Sequence, residues 1–402
     1  MRVTFLTHYY PPEVGAPQAR ISALARGLAS RGHEVQVHTP PPHYPDGRIP
    51  HGYRNRLLTK ETRDGVGVRR SAVLPAPNRG FARRLADHAS FGLTAVAAAG
   101  RTGAADVVVA ETPPLFLAAA AIPYARRKRA ALVLNVSDLW PRSAIELGAL
   151  RFPPAIAAAH ALERRAYRSA AAVVCPTQGI EADLEARPES AGKVRRILTG
   201  VDLDAFDPAP RTDSGGFRVV YAGTTGMAQG VGTLLDAAAL LARAHPDAEL
   251  RIAGDGADTP ELQRRAQSLG NVTMLGRIPH DEVPALLADT DAVAVLLRDK
   301  PVFEGAVPTK LLEALAAGRP VVLAAGGEAA TLLRGSGGGL VVPPERPDAL
   351  AEAVTRLAGD PDGGRAMGAA GRAFAEAELG IDRFVGDWER LLATVATTRG
   401  AG

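Results

Sequence analysis

The chain has 402 residues, 46% of them hydrophobic and 22% charged, with a formal net charge of +4. That is too long for one ordinary core and suits two α/β domains of about 180 to 200 residues each. Its 42 glycines and 31 prolines are spread out rather than gathered in tracts, which excludes a disordered chain, and the lone Cys175 in its apolar run excludes a disulfide framework or a cysteine-rich metal centre.

From the N-terminus, Met1-Arg2-Val3-Thr4-Phe5-Leu6-Thr7 is too short an apolar run for a signal sequence and reads as a first strand. No stretch reaches the roughly 18 unbroken apolar residues of a membrane span, so a cytoplasmic protein is expected. Further strands are expected at 34–39, 66–73, 106–111, 131–137, 171–177 and 194–200, with helical patterns between them. The clearest helix runs from Gln18 to Arg31, where Ile21, Leu24, Ala25 and Leu28 repeat at helical spacing before Gly32 stops it. Arg79 to Phe91 suits either a basic amphipathic helix for an anionic membrane surface or an ordinary surface helix.

Residues 202–217 change character, with 207–216 reading as an exposed linker. Alternation then restarts with strands at 218–223, 249–254, 272–276, 292–297 and 320–324 and a helix near 230–244. The expected domains are therefore 1–205 and 206–380, each a doubly wound α/β sheet, with a closing helix over 381–402 crossing back to the first. Ligands of such sheets bind beyond the carboxyl ends of the strands, so two facing domains would share a central cleft.

The basic residues, all but five of them arginine, form clusters such as Arg83-Arg84 and Arg126-Arg127-Lys128-Arg129. They suit an anionic substrate or surface, or simply solvated faces; without interleaved aromatic residues, zinc-finger or RNP patterns, no nucleic-acid partner is expected. Two loops follow a strand and open a helix: one carries Gly15, the other runs from Gly223 to Gly232 with Gly226 and Gln229 in it. Free N–H groups and the positive helix end converge at such places and suit a phosphate, although a tight connection without a ligand would look the same.

Six stretches carry a resemblance that spans the chain: Tyr10-Pro11-Pro12-Glu13-Val14-Gly15-Ala16-Pro17, Gly32-His33-Glu34-Val35, Ser137-Asp138-Leu139-Trp140-Pro141, Gly200-Val201-Asp202, Tyr221-Ala222-Gly223 with Gln229-Gly230, and Val307-Pro308-Thr309-Lys310-Leu311-Leu312-Glu313-Ala314-Leu315-Ala316-Ala317-Gly318. Together they resemble glycosyltransferase family 4, and most of all its bacterial surface-polysaccharide subgroup that includes O-antigen fucosamine transferases. The resemblance implies a GT-B fold of two Rossmann-like domains, with a nucleotide-sugar donor, UDP-linked by expectation, held by the second domain. A saccharide, lipid-linked or small-molecule acceptor is then held by the first. It also implies retention of configuration, no metal or other cofactor, and work at the inner face of the cell membrane.

By the same resemblance Glu313 takes the ribose hydroxyls, a role that suits a carboxylate because it accepts two hydrogen bonds. Glu304 is the carboxylate near the sugar, although it stands one residue further from Glu313 than the family's usual spacing, where this chain has Gly305. Thr309 and Lys310 contact the distal phosphate. The arginine and lysine that many relatives carry after Gly223 are replaced by Thr224, Thr225 and Gln229, so Lys310, helped by Arg298 or Lys300, is expected to stabilise the leaving diphosphate. Arg277 and Ile278 read the base, Asp255 forms a turn, and Arg20, Asp138 and Trp140 serve the acceptor; Ser137 stands where many relatives have a histidine.

The catalytic set is thus Asp138, Lys310 and Glu304. Two rivals share the fold: a nucleotide-sugar epimerase, which would need more acid/base groups around the sugar, and a non-catalytic nucleotide-sugar binder. Asp202-Leu203-Asp204 would suit a metal-dependent transferase of the other fold class, but it lies at the linker. A dehydrogenase is less expected, because after the second strand, at Val35-Gln36-Val37-His38-Thr39, this chain lacks the acidic residue that would bind a ribose of NAD.

Overall fold

The computed structural model describes residues 1–13, 15–77, 81–206, 208, 211 and 215–400. Val14, Arg79, Gly80 and, within the expected linker, Asp207, Ala209, Pro210, Thr212, Asp213 and Ser214 lie outside the described residues. The chain divides into two compact units, Met1–Thr199 with Asp382–Gly402, and Gly200–Ile381.

The first unit is built on β1 (Arg2–Leu6), β2 (Glu34–Thr39), β3 (Thr59–Arg63), β4 (Val66–Arg70), β5 (Val107–Thr112), β6 (Ala131–Val136), β7 (Ala172–Cys175) and β8 (Val194–Arg196), in the order β3-β4-β2-β1-β5-β6-β7-β8. Every residue of β5 and β6 is buried, as a parallel sheet covered on both faces requires. The covering helices are α1 (Ala16–Ser30), α2 (Phe81–Ala98), α3 (Leu115–Lys128), α4 (Arg142–Glu146), α5 (Pro153–Ser169) and α6 (Gln178–Glu185).

Two expectations change. β3 pairs antiparallel to β4 through a turn whose Asp64 and Gly65 both have positive φ, the left-handed pair a tight hairpin needs. The basic segment beginning near Phe81 is a core layer: α2 buries Phe91, Ala95 and Asp87, although Leu93, Arg83 and Arg84 stay exposed.

The second unit carries β9 (Arg218–Ala222), β10 (Glu249–Ala253), β11 (Val272–Gly276), β12 (Ala292–Leu296), β13 (Val321–Ala324) and β14 (Gly339–Val342), all parallel, in the order β11-β10-β9-β12-β13-β14. Its helices are α7 (Gly232–Ala244), α8 (Thr259–Ala266), α9 (Val283–Ala288), α10 (Thr309–Ala316), α11 (Gly327–Ser336), α12 (Pro347–Gly359) and α13 (Pro361–Glu378). Leu234, Leu235 and Ala238 of α7 and Leu350, Val354 and Leu357 of α12 share one buried cluster with the sheet. Finally α14 (Ile381–Gly400) gives the first unit its buried Phe384, Val385, Trp388 and Leu392 and binds α1 and its following turn through Glu389, which takes Arg31 at 2.9 Å and His33 at 2.7 Å.

Both sheets are doubly wound α/β arrangements that grow outward from their first strand in two directions. The strand order reverses between β1 and β5 in one and between β9 and β12 in the other. These reversal points are where crevices open beyond the strand ends. At the second, Gly254 has φ +142° and a Cβ there would stand 1.8 Å from the Gly223 carbonyl oxygen. Gly254→Ala is therefore expected to destabilise the protein by more than about 2 kcal/mol through backbone strain and collision; unchanged thermal and urea unfolding would refute this.

Candidate active site

In the second unit three connections converge at the reversal point. Tyr221, near the end of β9, is buried, and its hydroxyl donates to the Thr224 carbonyl at 2.6 Å. Lys310, in the first turn of α10, donates to the same hydroxyl at 2.6 Å with its ammonium 3.9 Å from the ring centroid, a cation–π arrangement. A Cβ on Gly223 would stand 2.6 Å from the Lys310 Nζ, so this glycine leaves the room that the lysine occupies. Among the described residues no carboxylate pairs with Lys310, and burial pushes its ammonium down to about 7 against the pull of Glu313.

Glu313 lies three residues along the same helix, and its carboxylate meets His280 Nε2 at 3.0 Å. The bond to Glu313 raises the His280 pKa. His280 directly follows Gly276-Arg277-Ile278-Pro279, so this contact pins the connection after β11, with its exposed Arg277 and half-buried Ile278, to α10 at Glu313. Arg298, after β12, donates its backbone N–H to Ala228 at 2.9 Å and packs its side chain against Gly230. It pairs with Glu345 only at 3.6 Å, and its buried Nε has no partner. Lys300 is exposed, Thr309 opens α10, and Gln229 closes a turn on Gly226 with N–H to carbonyl at 3.2 Å.

Thr225, one of the residues that replace the relatives' basic pair, turns inward: it is fully buried with its hydroxyl 2.6 Å from that of Thr259. Asp255 accepts from Gly256 N–H at 2.8 Å and from the Thr259 hydroxyl at 2.9 Å, as a turn-former would. Glu304 is exposed; its carbonyl takes the Glu328 N–H at 2.7 Å, and no contact of its carboxylate joins it to Lys310 or Glu313.

In the first unit Gly15 precedes α1, and Arg20 on that helix donates to both oxygens of Glu111 at 3.0 and 3.2 Å and to the Ser137 hydroxyl at 2.7 Å. Glu111 ends β5 almost fully buried, and Asn135 of β6 also donates to it. Arg20, Asn135, Ser137 and Thr199, with Phe384 and Trp388 of α14, line a small recess. Asp138 and Trp140 do not line it. Burial raises the Asp138 carboxyl pKa against a 2.9 Å hydrogen bond from the Ser143 hydroxyl, and Trp140 packs on the core.

Two family profiles match along this frame, one described as Glycosyl transferase 4-like domain over residues 15–200 and the other as Glycosyl transferases group 1 over residues 216–360. The chain belongs to glycosyltransferase family 4.

Relatives of this family 4 chain include a GDP-mannose-dependent monoacylated alpha-(1-6)-phosphatidylinositol monomannoside mannosyltransferase of Corynebacterium glutamicum. It is 33% identical over 45% of this chain and 51% of its own length. The chain thus spans about half the length of the curated relatives it matches first. Among solved structures, sucrose-phosphate synthase from Thermosynechococcus elongatus superposes with a TM-score of 0.79 at 19% identity, covering 99% of both chains. Anabaena HepE in complex with UDP and glucose gives 0.73 at 19% identity, over 98% of this chain and 99% of that one. These likenesses place the family 4 chain in the GT-B fold class.

Sequence reading of the family 4 motifs missed His280, Tyr221 and Glu111. Tyr221 lay in a recognised stretch without a role, whereas His280 and Glu111 are joined to their partners across 33 and 91 residues, a distance no local pattern spans.

Proposed function

We propose that the chain transfers a sugar from a nucleoside-diphosphate donor to a saccharide or lipid-linked acceptor with retention of configuration. The second unit holds the donor and the first the acceptor. The observation that carries this reading is the Lys310 ammonium set against Gly223 at the mouth of the loop between β9 and α7. A diphosphate lying there meets loop N–H groups, the start of α10 and one cation without an acidic partner. Glu313 takes the ribose hydroxyls, and backbone groups of Arg277 and Ile278 read the base.

As the bond from the sugar to the diphosphate breaks, the developing charge is met by Lys310, with Arg298 behind the loop. The acceptor hydroxyl forms the new glycosidic bond, and its proton passes to the departing phosphate. Lys310 is the catalytic residue in this account, and no metal enters the step. Glu304, without a contact to Lys310 or Glu313, has no assigned step, and Arg20 with its Glu111 partner offers the acceptor a charged contact, next to the segment that carries Asp138 and Trp140. The membrane-face role rests on the exposed Arg83 and Arg84 in the first turn of α2. No helix among the described residues is long and apolar enough to cross a bilayer.

A UDP-linked sugar is the first reading of the donor, in keeping with the UDP and glucose bound by HepE. GDP-mannose is the second, favoured by the Corynebacterium relative. Thermal shift against UDP-, GDP-, dTDP- and ADP-sugars is expected to single out the UDP set. Stabilisation by GDP-mannose alone would transfer the assignment to the second reading, and no shift with any nucleotide would refute the donor site. Nucleotide release with acceptor separates transfer from epimerisation and from mere binding.

A further inference from the structure

At the carboxyl end of the first sheet, three side chains from three different elements meet. His8 comes just after β1, His43 from the connection after β2, and Asp87 from α2, and all three are at least 96% buried. His8 Nε2 lies 3.2 Å from one Asp87 oxygen, and His43 Nε2 lies 3.0 Å from the other. All three ligand atoms fall within 4.8 Å of one another.

The hydrogen bonding around them does not close. His43 Nδ1 lies 2.8 Å from the Pro41 carbonyl, which can only accept, so Nδ1 carries a proton, and Nε2 meets the carboxylate either as the N–H of an imidazolium or, in the neutral ring, as a lone pair open to a cation. In the neutral ring two acceptors face each other at hydrogen-bond distance. Both ring nitrogens of His8 and the facing Asp87 oxygen lack a hydrogen bond as well.

Charge does not close either. Glu13, also buried, lies 3.9 Å from the His43 ring and spends one oxygen on the N–H groups of His43 and Tyr44. Among the described residues no lysine or arginine pairs with Glu13 or Asp87. Two carboxylates in so dry a place require positive charge beside them, from a bound cation or a protonated imidazole.

We propose that His8, His43 and Asp87 form a structural site for one divalent transition-metal ion of the zinc class. Two imidazole nitrogens and one carboxylate oxygen suit that ion. Bonds of about 2.0–2.1 Å in a tetrahedron place ligand atoms about 3.3 Å apart. Here each imidazole stands at about that separation from its own oxygen of the Asp87 carboxylate, 3.2 Å for His8 and 3.0 Å for His43, and one of the two oxygens would complete the set. The hydrogen bond from His43 Nδ1 to Pro41 is the outer contact that orients a metal-binding imidazole. The ion clamps α2 to the ends of β1 and β2. It takes no part in sugar transfer, so the site stands independently of the proposed function.

The test uses the full chain, purified without a metal-affinity tag, stripped with a chelator and reloaded with Zn²⁺ or Co²⁺. One ion per chain by elemental analysis, visible d–d bands of four-coordinate cobalt and a higher melting temperature with Zn²⁺ are expected. Asp87→Asn and His8→Gln should each abolish the stoichiometric ion. A wild-type chain that takes up neither metal overturns the proposal, because a proton alone then bridges His43 and Asp87; so does a stoichiometric ion that both variants retain. The wild-type measurement decides even if the variants fail to fold.

Discussion

Replacing Lys310 with alanine is expected to lower kcat by about 10²–10³-fold without lowering the melting temperature. The fold tolerates the loss because Tyr221, the hydrogen-bond partner of Lys310, still donates to the Thr224 carbonyl. The lysine also weakens the free protein at neutral pH. With its folded pKa pushed down to about 7 from 10.5, the unfolded chain binds the extra proton between those values, so this group makes stability rise with pH across that window.

Donor binding runs the other way. A diphosphate against Lys310 favours the ammonium, so above pH 7 each binding event takes up close to one proton, and affinity falls by up to about tenfold per pH unit. Calorimetry in buffers of different ionisation heat reads the proton directly. Pre-steady-state kinetics that leave Lys310→Ala equal to wild type, or donor binding without proton uptake at pH 8, would remove Lys310 from the diphosphate.

Glu313→Ala should raise the donor KM by about 10–100-fold, the loss of one or two charged hydrogen bonds to ribose, with a smaller change in kcat. Glu313→Gln should fall between, because its amide oxygen still accepts from His280 and from one hydroxyl. His280→Ala removes only the tie between the connection after β11 and α10, and its effect should be the smallest of the three. A melting temperature that drops with Glu313→Ala while the donor KM stays put would make the contact architectural.

The alternation of apolar runs and helical patterns was enough to read two doubly wound sheets, because buried parallel strands such as β12 and β13 are continuous apolar runs and β5 and β6 turn polar only near their carboxyl ends. β3 escaped, since Thr59-Lys60-Glu61-Thr62-Arg63 has no apolar face, although the Asp64-Gly65 pair after it is a hairpin signal. β14 escaped because Gly335 to Gly339 around it reads as loop. Lys310 and Glu313 were legible as neighbours on one helix. Their surroundings were not: the room left by Gly223, the His280 partner and the inward turn of Thr225 are products of packing between segments far apart in the chain.

The way α14 returns to the first unit has a consequence during synthesis. Trp388 and its buried neighbours leave the ribosome after the whole of Gly200–Ile381, so the half of the protein that is begun first is the last to be sealed. Until then the apolar bed prepared for that helix stays uncovered, while the later half already has every strand and helix it needs to fold.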